Sequence, residues 1–443
     1  MLKILSVDDA QKTILKRENA HFFADAEMTE AQKEASSAIY GKPLAPDEAV
    51  RHILKDIHQH GDSALKKWTH KLDGAVIDNV VVPASELAAA LDRIDPKLRA
   101  ALETAAERIR DFHQRQPLPN WTTTEMGGIV GQRVTPIQRV GVYVPGGTAP
   151  LPSTMLMCAI PARVAGVKEL VAVTPPSKDG TIPDVILAAA AIAEVDQLYK
   201  MGGAQAIGAL AFGTESIQAV DKIVGPGNLW VTLAKRQVYG IVGIDGLYGP
   251  TETAVVADET ADPAWVAADL LAQAEHDTLA SAILFTPSAE MAERVQIEVG
   301  KQMEELSRAD IIVQSLANQG GIVITKDMDE ACMLASGYAA EHTCIATANP
   351  EKYIGKIPNA GGLFVGEHSF EVLGDYVAGP SHTMPTNATA RFASPLNVAD
   401  FIKISSIINI DPETARALAP VAATIAQAEG LDGHAAAALK RTE

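Results

Sequence analysis

The sequence predicts an α/β fold built on parallel sheets, and three observations carry that expectation. From Val140 onward, short apolar runs that each end in Gly or Pro pass into Ala-rich helical stretches. A second series of the same texture begins after Tyr248, and a chain of 443 residues is too long for one ordinary core, so two or three domains are expected. Apolar strands without alternation are buried on both faces, which is the signature of a parallel sheet covered by its crossover helices.

Taken in order, the first thirty or so residues are polar and mixed, with HFFADAE (His21 to Glu27) supplying an aromatic pair, and they are expected to form a short helical arm. From Pro46 to about Gln116 the pattern is helical: Ala49, Val50, Ile53 and Leu54 recur at helix spacing, and Leu87 to Ile109 is rich in Ala and Leu with charges on the other face. His52, His58, His60 and His70 fall here without a partner pattern and are read as surface residues.

The first parallel series then begins. GVYVPGG, ELVAVTPP, QLYKMGGAQAIGALAFG and DKIVGPGN each join an apolar run to a turn and a helix. Ligands of such sheets bind at the carboxyl ends of the strands. Those ends are Tyr143 to Gly147, Thr174 to Pro176, Gly202 to Gln205 and Gly225 to Asn228, with Gln205 and Asn228 at helix starts. None of the turns carries the G-x-G-x-x-G dinucleotide fingerprint.

In the second series TAVVADE, AILFT, GIVIT, TCIAT and GGLFVG read as strands. Asp262 caps a helix from Pro263 to about His276, with Pro in the first turn where its missing N–H costs nothing. The last forty residues read as two helices.

Composition narrows the function classes. A formal charge of -18 and a pI near 5.1 repel nucleic acid and anionic membrane surfaces, so an anionic ligand has to be held by local groups. The three cysteines, Cys158, Cys332 and Cys344, are odd in number and far apart, which excludes a disulfide framework and a Cys-rich zinc site. MLKILSVDDA has no apolar core of a leader, and no run is apolar for the ~18 residues of a membrane span, so a cytoplasmic protein is expected.

Three constellations could carry chemistry. Gly374 to Phe392, GDYVAGPSHTMPTNATARF, holds Asp375, Ser381, His382, Thr386, Asn387 and Arg391 in a stretch whose Gly379, Pro380 and Pro385 forbid a long helix or a central strand. It is expected to be a structured loop. Gln273 and His276, three apart, point from one helical face. Glu341-His342 sets a carboxylate beside an imidazole just before TCIAT, a pairing able to supply a base, an acid or an orienting group near neutral pH. His434, in GLDGHAAA, precedes a helix near the end of the chain.

Taken together these stretches resemble the histidinol dehydrogenase family over essentially the whole length. GVYVPGGTAPLPSTMLM, KMGGAQAIGA, VGPGNLWVTLAKRQVYG, YGPTE, LLAQAEHD, AEH before TCI, GDYVAGPSHTMPTNATARFASPLNVADF and EGLDGH follow the family's order and spacing. The resemblance implies two Rossmann-like parallel-sheet domains with small helical N- and C-terminal segments that swap in a dimer. It divides the chain into an arm (1–31), a main domain (32–142 and 251–396), an inserted NAD-binding domain (143–250) and a C-terminal helical segment (397–443) that completes the partner's active site.

It further implies oxidation of L-histidinol to L-histidine with two NAD⁺, in a homodimer holding one Zn²⁺ per subunit. The implied metal ligands are Gln273, His276, Asp375 and His434, a set of imidazoles, one amide and one carboxylate that leaves part of a divalent charge uncompensated. The implied acid/base pair is Glu341 and His342. The implied substrate contacts are Thr251, His382 and Glu429 beside His342 and the metal ligands, with Glu429 and His434 supplied by the partner. Tyr143, Gln205 and Asn228 are the implied dinucleotide contacts. Two positions depart from the family's commoner residues, Thr251 where Ser is usual and Thr343 where Leu is usual, and both touch the substrate side.

Three other readings compete: the same chemistry on another primary alcohol such as a sulfonated propanediol, a thiol-dependent aldehyde dehydrogenase using Cys344 or Cys158, and a non-catalytic binding protein on an enzyme fold.

Overall fold

The computed structural model describes residues 2–17, 28–146 and 149–442. Two six-stranded sheets organise it. The first is wholly parallel, in the order Ile4–Ser6, Gly321–Ile324, Ser281–Thr286, Glu252–Ala257, His342–Ala346, Gly362–Val365. All five strands expected after Tyr248 are in it. Its central strands are buried along their whole length, as their unbroken Val, Ile and Ala content requires.

The second sheet runs Val81–Val82, Gln197–Lys200, Glu169–Thr174, Arg139–Tyr143, Lys222–Val224, Gly243–Ile244, parallel except for the antiparallel first pair. After the edge strand Val81–Val82, the parallel part starts in the middle at Arg139–Tyr143, lays two strands to one side, then returns to the other. The strand order therefore reverses between Arg139–Tyr143 and Lys222–Val224, the place where an open α/β sheet leaves a crevice. At the mouth of this crevice Gly225 has φ +112°, and a Cβ there would strike the Tyr143 carbonyl. Only glycine fits.

A third, antiparallel sheet pairs Ile402–Ile410 with Gly128–Pro136 and the latter with Trp121–Thr123.

Several expectations need correction. The arm contains a strand, Ile4–Ser6, paired with Gly321–Ile324, and then the short helix Val7–Lys12. The sheet's exposed edge draws a short apolar segment into its ladder, a long-range effect that a local pattern cannot signal. HFFADAE lies outside the described residues. The helices of 32–142 were expected with the first sheet but pack on the second: Val50, Ile53, Leu54, Ile57 and Leu65 share a core with Val171, Tyr199 and Ile207, and Leu102, Ala105 and Ile109 share one with Val140, Leu170 and Met157. The C-terminal segment is not purely helical, since the nine-residue strand Ile402–Ile410 precedes its helices Pro412–Ala428 and Asp432–Leu439. The predicted loop from Gly374 begins inside a helix, Glu371–Tyr376. His52, His58, His60 and His70 are exposed, as expected.

Candidate active site

Two cavities meet between the sheets. The larger, about 620 Å³, is lined from all four strand ends singled out in the sequence: Tyr143 and Gly146, Thr174 to Pro176, Gly203 to Gln205, and Asn228. The buried Tyr143 hydroxyl accepts from the Gly203 N–H at 3.1 Å, and burial pushes its pKa up to about 12. Asn228 caps the helix Leu229–Val238, its Oδ1 accepting from Trp230 and Val231 N–H at 3.1 and 3.2 Å. The turn before it is fixed by a buried ion pair. Lys235 Nζ donates to the Gly225 carbonyl at 3.0 Å, Asp245 accepts from Gly225 N–H at 2.6 Å, and the two side chains pair with each other.

The smaller cavity, about 200 Å³, gathers Thr251, Gln273, His276, Glu341, His342, Asp375 and His382. It sits at the amino ends of Glu252–Ala257 and His342–Ala346, not at carboxyl ends. The reason is the arrangement of the two sheets: Leu151, Thr154 and Pro226, from the carboxyl edge of the second sheet, form its opposite wall. The two linings are adjacent along the chain: Ala149, Pro150 and Asn228 line the larger cavity, and Leu151, Ser153, Thr154 and Pro226 the smaller.

Glu341 is buried, with its carboxylate accepting from the Thr251 hydroxyl and, at 3.3 Å, from the Glu252 N–H. Burial raises its pKa to about 7, against the pull of His342. Beside it, His342 Nδ1 lies 3.8 Å from both Glu341 and Glu371, and Nε2 lies 3.4 Å from Asp375. These are electrostatic contacts at which neither ring nitrogen makes a well-formed hydrogen bond. Burial alone would lower the pKa of His342, but the three carboxylates outweigh it and hold the ring protonated to about 10.

Gln273 is buried at the end of the Asp262-capped helix Pro263–Ala274, and His276 follows one turn on at the exposed rim. The Gln273 amide is satisfied when its nitrogen donates to Glu371 and its oxygen accepts from the Glu252 N–H at 3.0 Å. His382 is fixed from two sides. Its Nδ1–H donates to the Asp375 carbonyl at 2.8 Å and its Nε2 accepts from the Thr154 hydroxyl at 3.2 Å, while burial lowers its pKa and keeps it neutral.

Sequence reasoning missed Glu371. Its carboxylate is buried, one oxygen has no partner, and with His342 and Asp375 it forms a cluster whose ligand atoms lie within 4.8 Å of one another. Burial pushes its pKa up to about 8. The available signal was its spacing, four residues before Asp375 on what proves to be one helical turn. His434 and Glu429, by contrast, are exposed on the C-terminal helices and line neither cavity.

The histidinol dehydrogenase family model matches residues 43–442. The chain belongs to the histidinol dehydrogenase family. Membership makes it an NAD-dependent oxidoreductase. It is 49% identical over 436 residues to a histidinol dehydrogenase of Dehalococcoides mccartyi strain CBDB1, covering 98% of each chain. It is 48% identical over 421 residues to that of Deinococcus radiodurans, covering 95% of this chain and 96% of the other. The crystal structure of histidinol dehydrogenase from Elizabethkingia anophelis superposes with a TM-score of 0.89 at 34% identity, covering 99% of this chain and 98% of that one. Histidinol dehydrogenase function and the α/β fold with parallel sheets accord with these relatives.

Proposed function

We propose that the protein oxidises L-histidinol to L-histidine through L-histidinaldehyde, using two NAD⁺ and one bound Zn²⁺, in the cytoplasm and as a homodimer. The observation that carries the reading is that neighbouring residues, Pro150 and Leu151, and Pro226 and Asn228, line the two cavities in turn. A dinucleotide held by Tyr143, Gln205 and Asn228 would end against a substrate held beside Glu341 and His342.

The donor set supports a divalent cation. Glu341, Glu371 and Asp375 converge on one imidazole, and Glu371 keeps an unpartnered oxygen. Gln273, His276 and Asp375 would hold the ion together with His434 of the partner subunit, and Glu371 would orient Gln273 through their hydrogen bond. When bound, zinc supplies a fixed Lewis acid for the substrate's amino and imidazole nitrogens.

The chain's own groups then move the protons. His342 takes the hydroxyl proton as hydride leaves for NAD⁺, a role that requires its surrounding carboxylates to be neutralised by another cation. Glu341, poised near pH 7, takes a proton from the water that hydrates the aldehyde. His342 takes the hydrate's proton as the second hydride leaves. His382 and Thr251 position the substrate, with Glu429 of the partner subunit.

A second copy is supported by the C-terminal segment, whose helix Pro412–Ala428 leaves Leu418, Val421 and Ile425 more than half exposed. The thiol-dependent alternative is disfavoured: Cys344 is buried in the core of the first sheet with its pKa raised by burial, and Cys158 is pushed to about 12. The sulfonated alcohol finds no support in the relatives, which are named for histidinol.

The test is NADH counted per histidinol consumed by metal-reconstituted protein, beside His342→Asn and Glu341→Gln. Two NADH per substrate, lost on chelation and in His342→Asn, with aldehyde accumulating in Glu341→Gln, is expected. Turnover that survives chelation, or an unaffected His342→Asn, refutes the assignment.

A further inference from the structure

The dinucleotide cavity contains one carboxylate that the proposed chemistry does not use. Asp73 is the last residue of the long helix Pro46–Asp73, and among the described residues it is the single acidic side chain lining the cavity. Its environment is unfavourable in two ways. It stands at the negative end of the helix, where an acid is opposed by the aligned peptide dipoles. It is also partly withdrawn from water, and among the described residues it has no ion-pair partner and accepts one hydrogen bond, from Gln205 Nε2 to Oδ2 at 3.1 Å. Burial raises its pKa to about 6.

Gln205 adds a second observation. It is fully buried, and with its nitrogen committed to Asp73, its Oε1 has no donor among the described residues. A carboxylate oxygen and an amide oxygen thus stand side by side, both able only to accept. The wall around them is apolar, with Ile39, Tyr40, Leu72 and Pro175 contributing. Such a place fits a flat apolar ring joined to a group rich in hydroxyl donors.

Resting on the dinucleotide reading above, we propose that Asp73 accepts the vicinal hydroxyls of the adenosine ribose, with Gln205 beside it, and thereby selects NAD⁺ against NADP⁺. A diol offers the carboxylate two donors at matched spacing. A 2′-phosphate offers none and adds negative charge next to Asp73, so the same residue rewards one ligand and repels the other. Lys178, exposed at the cavity's edge, is the one cation among the described lining residues that could soften that repulsion.

The experiment is calorimetric titration of the full-length protein with ADP-ribose and with 2′-phospho-ADP-ribose, for the native protein, Asp73→Ser and Asp73→Asn. These ligands lack nicotinamide, so binding is read without turnover. The native protein is expected to prefer ADP-ribose by about a hundredfold. Asp73→Ser is expected to lose roughly tenfold in ADP-ribose affinity, the worth of a charge-assisted hydrogen bond, and to gain affinity for the 2′-phosphate. Asp73→Asn, which keeps shape and removes only the charge, should relax the preference in the same direction.

If both affinities fall together and their ratio stays fixed, Asp73 merely orients Gln205 and the proposal is overturned. If neither changes, Asp73 does not face the ribose and the proposal fails while the dinucleotide reading stands. Native protein that binds neither ligand overturns both.

Discussion

Replacing Arg17 by methionine strands a carboxylate beneath the active site. Glu252 opens the strand Glu252–Ala257 with its side chain 5% exposed, and Arg17 grips it with both terminal nitrogens, one at 3.0 Å. The same guanidinium donates to the Tyr338 carbonyl at 2.6 Å and lies 3.5 Å from the centre of the Tyr338 ring. The Glu252 N–H in turn reaches Glu341 at 3.3 Å. Removing one partner of a buried pair costs about 3–5 kcal/mol because the remaining charge has no compensation. An exposed pair would cost ~0.2–1 kcal/mol.

Urea denaturation of Arg17→Met, Glu252→Gln and the double variant separates the two cases. Arg17→Met is expected to lose about 3–5 kcal/mol, and Glu252→Gln in that background should restore most of the loss by removing the stranded charge. The pH dependence has a definite sign. Burial already raises the Glu252 pKa above its ordinary value, and losing Arg17 raises it further. Below the ordinary carboxylate pKa the residue is neutral in both folded and unfolded chains, so the stranded-charge part of the Arg17→Met penalty is absent there, grows as pH rises from the ordinary value to the shifted one, and is constant above it. A loss under about 1 kcal/mol at neutral pH, or a penalty that grows on acidification, would refute the reasoning.

Three further outcomes are expected. A Cβ at Gly361 would strike the Glu341 carbonyl, so Gly361→Ala should displace Glu341, the proposed base, and lower histidinol turnover about 10- to 100-fold while ADP-ribose titration is unchanged; equal loss of both would point to general unfolding. Cys344→Ser should retain both oxidation steps within about twofold, measured as NADH per histidinol, because the thiol is a small core group. Asp73→Asn should raise the melting temperature at pH 7.5 but not near pH 4. Asp73 shares its cavity with Gln205, Tyr143 and, at the exposed edge, Lys178, and with a folded pKa of about 6 against an ordinary 3.8 its charge destabilises the folded state as pH rises between those values. A variant less stable at pH 7.5 would contradict this.

Most strands were legible in the chain, because Val, Ile and Ala runs bounded by Gly and Pro have one stable use in a domain of this size. AILFT, GIVIT and TCIAT fall on strands to within a residue or two. The Asp262 cap was equally local: an acid before a proline sets a helix start through its own hydrogen bond to Ala264 N–H at 2.8 Å. Ile4–Ser6 was not legible, since an edge strand is created by its neighbour's unpaired groups and not by its own pattern.

For the site, the sequence by itself determined the inventory: Gln273, His276, Glu341, His342, Asp375 and His382 are recognisable as chemistry-bearing residue types in family order, and Tyr143, Gln205 and Asn228 fall at predicted strand ends. Only the tertiary structure decided which of these meet. It brought the amino edge of one sheet against the carboxyl edge of the other, so that strand starts and strand ends share walls. It also added Glu371, Thr154, Asp73 and the Arg17–Glu252 pair, whose significance lies in burial and in contacts up to 321 residues away along the chain. Desolvation and long-range pairing arise from the whole fold, and no local spacing encodes them.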